Sequence, residues 1–387
     1  MDKGNHMKTE KRCIITNDSH HLMDVIRRPQ HHFEGLIKPE NIQRYNPFQL
    51  IIRYEESYWN VCLGFNTIES KKSQSQTLLH TYQDIHEISW TQWMSFDYEI
   101  YVDYQMLDHQ ITRQSIDIYH VNFTKLNQEA WNEAYLKSPE SYKAIAERLI
   151  EDPTQFLTSR LMKHLDQVNL NGHHIAQLAC NNGREILAIL KHYGAKKATG
   201  FDISEAMIHD ANQSAQQLKL DAHFIQTNLY DIDPSFQNSF DDIFMMIGAI
   251  TWFDDLAKLF KIVSGLLKPK GHFYLLDGHP VTGMFAFEGE EGFDPKNRSK
   301  IVYSYFKKEP FIETDGMYYM TQKTYESHPF VSFSHTFQDI IQGLIDANLR
   351  LIVFEEGNEN MLENFPELDG KHIPLIFYID AIKSNES

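Results

Sequence analysis

Between residues 174 and 204 the chain groups small and polar residues in a pattern that can hold a nucleoside. His174-Ile175-Ala176-Gln177-Leu178 is a short apolar run, Ala179-Cys180-Asn181-Asn182-Gly183 is a small-residue turn, and a helical pattern begins at Arg184-Glu185. A second run, Gly200-Phe201-Asp202, ends in an acid that can accept hydrogen bonds from a ribose diol. A pyrophosphate needs Gly-x-Gly-x-x-Gly so that backbone can approach the phosphates closely. The three positions here are Ala179, Asn181 and Arg184, so NAD is a poor guest. The chain contains no Walker loop, nucleophile elbow or HExxH helix.

S-adenosylmethionine offers the same nucleoside without a phosphate, and its amino-acid tail needs only backbone groups and short polar side chains. Asn181 and Asn182 are placed to supply these, with Ala179 and Cys180 in the same turn counted in the cofactor set and Gly183 free to take a positive φ. Asp202 is expected at the ribose, Asn228 at the adenine edge with Leu229 packed nearby, and Gly248-Ala249 beside the sulfonium and its methyl. Ile203 and Met207 complete the expected cofactor set. Asp202 also reads as a helix-start acid, but its place at the end of an apolar strand favours the ribose. Cys180 reads as a small packing residue with a useful backbone N–H rather than a nucleophile.

Methyl transfer is an in-line displacement at an activated carbon, in which alignment alone is worth about 7–11 kcal/mol. A base is needed only for a protonated amine or a hydroxyl. His279, which follows Asp277-Gly278 just past the fifth expected strand, is the first candidate base, and His335 the second. Each has a bland alternative, His279 as a cap of the strand end and His335 as part of a helix start at Thr336. Trp131, Tyr135, Trp252, Tyr303 and Tyr305, with Phe285, Phe287 and Phe306, are candidates for an acceptor wall. The run Glu288, Glu290, Glu291, Asp294 reads as a solvated loop or as an attractor for a cationic acceptor. The pairs His20-His21, His31-His32 and His173-His174 lack ordered ligand spacing, and no metal site is expected.

These residues need a scaffold, and the pattern supplies one. Strands are expected at Ile175–Cys180, Ala198–Asp202, Ala222–Gln226, Ile243–Ile247, His272–Leu276, Arg350–Glu355 and Pro374–Lys383. Helices are expected at Arg184–Tyr193, Glu205–Leu218, Leu256–Leu267 and Phe337–Ala347. This alternation predicts an α/β, doubly wound parallel sheet, with the last two strands as an antiparallel pair at one edge. Upstream, Gln128–Leu136, Ser141–Ile150 and Pro153–Leu165 read as helical. Residues 1–120 read as a smaller α+β module, with strands at Phe48–Tyr54, Tyr58–Phe65, Tyr98–Met106 and Ser115–Phe123 and a helix at Leu78–Ile88. Residues 121–387 form the second domain, and 281–333 an aromatic-rich insertion expected to cap the acceptor.

At 387 residues two domains are the prior. The formal charge of −17 disfavours nonspecific nucleic-acid binding. With no apolar run of membrane-spanning length and no basic–apolar leader, a soluble cytoplasmic protein is expected, monomeric or homodimeric. The opening Met1–His6 before Met7 reads as a leader ahead of a natural start. Three widely spaced cysteines, Cys13, Cys62 and Cys180, suggest neither a disulfide framework nor a thiolate zinc site.

Over residues 125 to 383 the chain resembles the class I S-adenosylmethionine-dependent methyltransferases, in particular a bacterial branch whose first motif reads Gln-Cys-Asn-Asn-Gly-Arg-Glu. The matching stretches are Ala179-Cys180-Asn181-Asn182-Gly183-Arg184-Glu185, Gly200-Phe201-Asp202-Ile203-Ser204, Leu229-Tyr230-Asp231-Ile232 and Leu266-Leu267-Lys268-Pro269-Lys270-Gly271, with His279-Pro280, Tyr305-Phe306, Glu309-Pro310 and Ser334-His335-Thr336. It departs from the wider class at Gln177, where an acid is common, and at Ala179 and Asn181, where glycines are common. The resemblance implies a Rossmann-like seven-stranded methyltransferase sheet, S-adenosylmethionine as cofactor and a small-molecule acceptor methylated on O or N. Two other functions fit the residues: a non-catalytic cofactor-binding scaffold, and an enzyme acting on protein or RNA through its N-terminal module.

Overall fold

The computed structural model describes residues 13–16, 19–33, 47–55, 58–65, 98–107, 110–120, 123–287, 290, 292–307, 310–361 and 365–384. The chain divides into two compact units, Met1–Phe123 and Thr124–Ser387.

The first unit contains β1 (Cys13–Thr16), α1 (Ser19–Arg27), α2 (Pro29–His32), β2 (Pro47–Glu55), β3 (Tyr58–Phe65), β4 (Tyr98–Leu107) and β5 (Gln110–His120). The strands form an antiparallel sheet in the order β1-β3-β2-β4-β5. Leu22, Val25 and Ile26 recur at helical spacing on α1 and are fully buried, as are Leu50, Ile52 and Val61 of the sheet. β5 ends before Phe123, where a helix starts in place of the expected strand end. The helix expected at Leu78–Ile88 lies outside the described residues. Cys62 is disulfide-bonded, against the expectation from cysteine spacing. Sheet pairing explains why spacing failed: β1 brings Cys13 into register with Cys62 across the sheet.

The second unit opens with α3 (Phe123–Lys137), α4 (Glu140–Lys143), α5 (Ile145–Glu151) and α6 (Ser159–Leu165). Two expected helices are shorter or broken here. The segment Ser141–Ile150 breaks at Ala144, whose ψ of 56° leaves the helical range. The last helix starts only at Ser159, because Thr158 adopts extended geometry and accepts the Leu161 N–H as an N-cap.

The sheet elements follow: β6 (His174–Leu178), α7 (Arg184–Tyr193), β7 (Lys197–Asp202), α8 (Glu205–Leu218), β8 (Ala222–Gln226), β9 (Phe240–Met245), α9 (Leu256–Leu266) and β10 (Leu267–Gly278). Within 281–333 lie β11 (Phe311–Glu313), α10 (Tyr318–Thr321) and β12 (Phe330–Ser332). The unit closes with α11 (Phe337–Asp346), β13 (Leu349–Gly357) and β14 (Ile376–Lys383).

The seven-stranded sheet runs β13-β14-β10-β9-β6-β7-β8, with β10, β9, β6, β7 and β8 parallel. This is the Rossmann-like α/β architecture expected from the alternation. β14 is antiparallel to both its neighbours, so the final strand is inserted inside the sheet while β13 takes the edge. Residue pattern explains the placement. Ile376–Lys383 is buried along nearly its whole length, whereas Leu349–Gly357 alternates between less and more exposed positions, as an edge strand does. One face of the sheet is covered by α7 and α8 through Ile186, Ile189 and Ala211, the other by α9 and α11 through Phe260, Val263 and Leu344. Parallel strands packed on both faces leave their carboxyl ends as the open crevice.

Candidate active site

The loop after β6 is held open by three left-handed residues in five positions. Ala179 has φ 52°, Asn181 φ 52° and Gly183 φ 75°. Only Gly183 adopts this geometry without steric cost, and a Cβ there would meet the Phe224 ring at 2.6 Å. Ala179 and Asn181 therefore keep a glycine-type backbone without glycine. Asn181 is the easier of the two, since asparagine tolerates this region.

Buried acceptors hold the strain. Asp202, at the tip of β7, accepts the Asn181 N–H at 2.8 Å and the Ser204 N–H at 3.0 Å. Its burial raises the carboxyl pKa, while these backbone donors oppose the rise. Gln177 is buried on β6, and its Oε1 accepts the Ile186 N–H at 3.1 Å, tying strand to helix.

On the next loop Asp277 acts similarly. Its carboxylate accepts the N–H groups of Gly248 (2.7 Å), Ala249 (3.0 Å), Ile250 (3.0 Å) and Gly278 (2.7 Å). Burial still pushes it up to about 6. Gly248 sits at φ 81°, and a Cβ there would point into open space. The asparagine on α3, Asn127, exchanges two hydrogen bonds with Val331 of β12, at 2.9 and 2.7 Å, which fixes α3 to β12.

Between these pieces lies a crevice lined by Ala179, Asn181, Asp202, Ile203, Met207, Asn228, Leu229, Gly248 and Ala249, nine of the eleven residues expected at the cofactor. The other two support it from behind. Cys180 is fully buried and spends its N–H on the Phe201 carbonyl, so it does not face the crevice. Gly183 shapes the turn at the start of α7. Asn228 lines the crevice with its amide already engaged: Oδ1 accepts from Tyr230 N–H at 3.1 Å and Nδ2 donates to Asp231 at 3.2 Å.

Sequence reasoning missed Arg184, Glu185, Tyr319 and Asn127, which also line the crevice. Arg184 and Glu185 stood in the first motif and were read only as a helix start. Arg184 donates to Glu185 at 2.6 Å and to the Tyr142 hydroxyl at 3.0 Å. Burial works against its charge, yet Glu185 and Tyr142 hold the guanidinium above its ordinary value. One cation against Glu185 and Asp202 gives the lining a formal charge of −1. That donor set suits a sulfonium cation with a ribose and opposes a pyrophosphate.

A second cavity, of about 660 Å³, opens beside the crevice and shares Trp131, Arg184, Ile247, Gly248, Trp252 and Tyr319 with it. Trp131 and Trp252 meet edge to face at 4.9 Å between ring centres. The other expected wall aromatics stand elsewhere. Tyr135 is buried with its hydroxyl on Asp210 at 2.8 Å. The Tyr305 hydroxyl accepts the Phe337 N–H at 3.0 Å, and Tyr303 packs edge-on against Phe311. Neither Phe285, Phe287 nor Phe306 lines the chamber; their places are taken by Phe156, Phe311, Phe333 and Phe365.

Both candidate histidines reach the chamber with ring nitrogens in use. The His279 Nδ1 accepts the Val281 N–H at 3.1 Å, and its Nε2 bonds Glu356 at 2.8 Å. Burial lowers its pKa, with Glu356 pulling the other way. His335 places Nε2 3.2 Å from the Ile250 carbonyl. His279 thus caps the turn that follows it, while Thr336 rather than His335 caps the next helix, and a role as base would have to break these bonds. Among the described residues no group of three or more His, Cys, Asp or Glu is placed to hold a metal ion, and no helix is long and apolar enough to cross a membrane.

With this geometry in place, comparison with known proteins adds a domain match. Residues 175–271, which run from β6 into β10, match the family model of a methyltransferase domain. No curated protein matches the chain. Among solved structures, it is similar to an S-adenosylmethionine-dependent methyltransferase from Mesorhizobium loti, at 19% identity over 58% of this chain and 98% of that one, with a TM-score of 0.45. It is also similar to the geranyl diphosphate C-methyltransferase of Streptomyces coelicolor, at 15% identity over 68% and 98%, with a TM-score of 0.44.

Proposed function

We propose that this S-adenosylmethionine-dependent methyltransferase delivers its methyl group to an O or N of a small molecule held in the chamber lined by Trp131 and Trp252. The observation that carries the reading is the shared wall: the crevice suited to the cofactor and the larger chamber meet at Gly248, Trp252 and Tyr319. A chamber of this size admits a metabolite, and the methyltransferase-domain match supports the reaction class.

Bound S-adenosylmethionine supplies a methyl on a positively charged sulfur, already activated for displacement. The chain then holds the cofactor, aligns it with the acceptor and caps the chamber. Asp202 is the group to accept the ribose hydroxyls, since each of its oxygens retains acceptor capacity beyond the backbone bond it makes. Ile203, Met207, Leu229 and Phe253 supply apolar surface for the adenine. Arg184, anchored by Glu185 and Tyr142, faces the crevice as the partner for the cofactor carboxylate. Asp277 fixes the Gly248–Ile250 turn where crevice and chamber meet, which aligns the two reactants. The 281–333 insertion supplies Phe311, Glu313, Met317, Tyr319, Ser332 and Phe333 to the chamber and serves as its cap.

Calorimetry with S-adenosylhomocysteine tests the site. Wild-type protein binds it, and Asp202→Ala weakens binding by about 1–3 kcal/mol. Affinity unchanged in the variant would displace the ribose contact from Asp202. Transfer of labelled methyl from S-adenosylmethionine into a metabolite extract tests the chemistry; tight binding with no labelled product would favour a non-catalytic binding protein.

A further inference from the structure

The chamber contains one carboxylate that no described residue satisfies. Glu313, the last residue of β11, lines it, and no described residue hydrogen-bonds or ion-pairs with its side chain. Every other charged group in the chamber is engaged. Arg184 is paired with Glu185. Asp277 takes four backbone N–H groups. His279 is bonded to Glu356 and His335 to a backbone carbonyl. Arg148 donates to Gln155 at 3.2 Å and stands over the Phe156 ring.

The groups nearest Glu313 do not neutralise it. Glu290 and Asp315 are like charges. The buried Lys307 donates to the Pro310 carbonyl at 3.1 Å and lies over the Phe311 ring. The neighbouring chamber walls are aromatic, with Phe311, Phe333, Trp252 and Tyr319. A lone carboxylate among aromatic faces is a receptor for an organic cation, which gains both an ion pair and cation–π attraction.

We infer that the methyl acceptor is an amine, bound as its ammonium against Glu313 and the aromatic wall, and that Glu313 accepts the proton whose loss frees the nitrogen lone pair. This rests on the methyltransferase reading above. The nitrogen then forms the N–C bond as the S–C bond breaks and its electron pair returns to sulfur. The products are a neutral thioether and an N-methylammonium, and Glu313 releases its proton to water. Burial beside Glu290 and Asp315 holds Glu313 at about 7, a value suited to exchanging a proton near neutrality.

The test uses the full chain saturated with S-adenosylhomocysteine and three probes of one shape: phenethylammonium, 2-phenylethanol and phenylacetate. At pH 8 calorimetry should show the ammonium binding about tenfold or more tighter than either other probe. Its affinity should rise with pH through about 7, as Glu313 ionises while the amine stays protonated. Glu313→Gln should abolish both the preference and the pH dependence and leave S-adenosylhomocysteine affinity within about twofold. Equal binding of the three probes, or a preference for phenylacetate, overturns the inference from wild type alone. A preference that survives in Glu313→Gln removes Glu313 from it. Failure of wild type to bind S-adenosylhomocysteine at all would instead overturn the methyltransferase reading.

Discussion

The loops at the strand ends and the 281–333 insertion treat carboxylates in opposite ways. At the strand ends, Asp202 in the crevice and Asp277 in the chamber wall are both deeply buried, and both accept backbone N–H groups of the loops they shape. In the insertion, Glu313 is partly buried in a wall that also carries aromatic rings, beside acidic neighbours and with no donor among the described residues. The first kind is structural even where it touches ligand, because its removal orphans several N–H groups at once. The second costs the fold energy until a ligand supplies the charge, which is the mark of a binding group.

The largest effect should come from Asp277. Asp277→Ala leaves four N–H groups without their acceptor and should cost about 2–4 kcal/mol of stability by urea unfolding, with loss of S-adenosylhomocysteine binding. Full retention of both would reduce the residue to a strand end. Asp277→Asn sharpens the point through pH. An acid raised to about 6 from an unfolded value near 3.9 contributes stability that is present at low pH and lost as pH rises through 6. The amide does not titrate, so wild type should lose about 1–3 kcal/mol relative to Asp277→Asn between pH 4 and pH 7. A constant difference across that range would contradict the burial argument.

Next in size is Asp202→Ala, with its loss of about 1–3 kcal/mol in cofactor-product affinity. A smaller effect is expected at His279, whose capping of the 280–284 turn predicts a stability cost of about 1 kcal/mol for His279→Ala by thermal unfolding. A catalytic collapse with unchanged stability would return the base role to this residue. The smallest concerns Ala179. Glycine relieves the positive φ but adds unfolded-state entropy, so Ala179→Gly should stabilise by about 0.5–1 kcal/mol at most. Marked destabilisation would show that the alanine methyl packs usefully in the crevice.

The cofactor side was far more legible in the sequence than the acceptor side. Asp202, Asn181 and Gly248 belong to short segments in which strand, turn and helix follow within a few residues, so local pattern determines where they point. Cys180 and Gly183 stand behind the crevice lining, and Phe201 and Phe224, which they meet there, come from other strands. The aromatics of the insertion were identifiable as apolar but not as pocket-facing. Tyr135 turned toward Asp210 on α8, and Tyr305 toward the start of α11, contacts separated by 75 and 32 residues. Nothing in local sequence separates Phe311, which faces the chamber, from Tyr303, which packs against it.

Periodicity and turn chemistry, which act over a few residues, were enough to determine the seven strands, the covering helices and the acid-tipped crevice. Long-range packing decided the rest: that β14 slips between β10 and β13, that Cys13 and Cys62 stand in register, and that Glu313 has no donor among the described residues. Those outcomes depend on which segments meet after the chain has folded, and burial and charge pairing between distant residues are set only by that meeting.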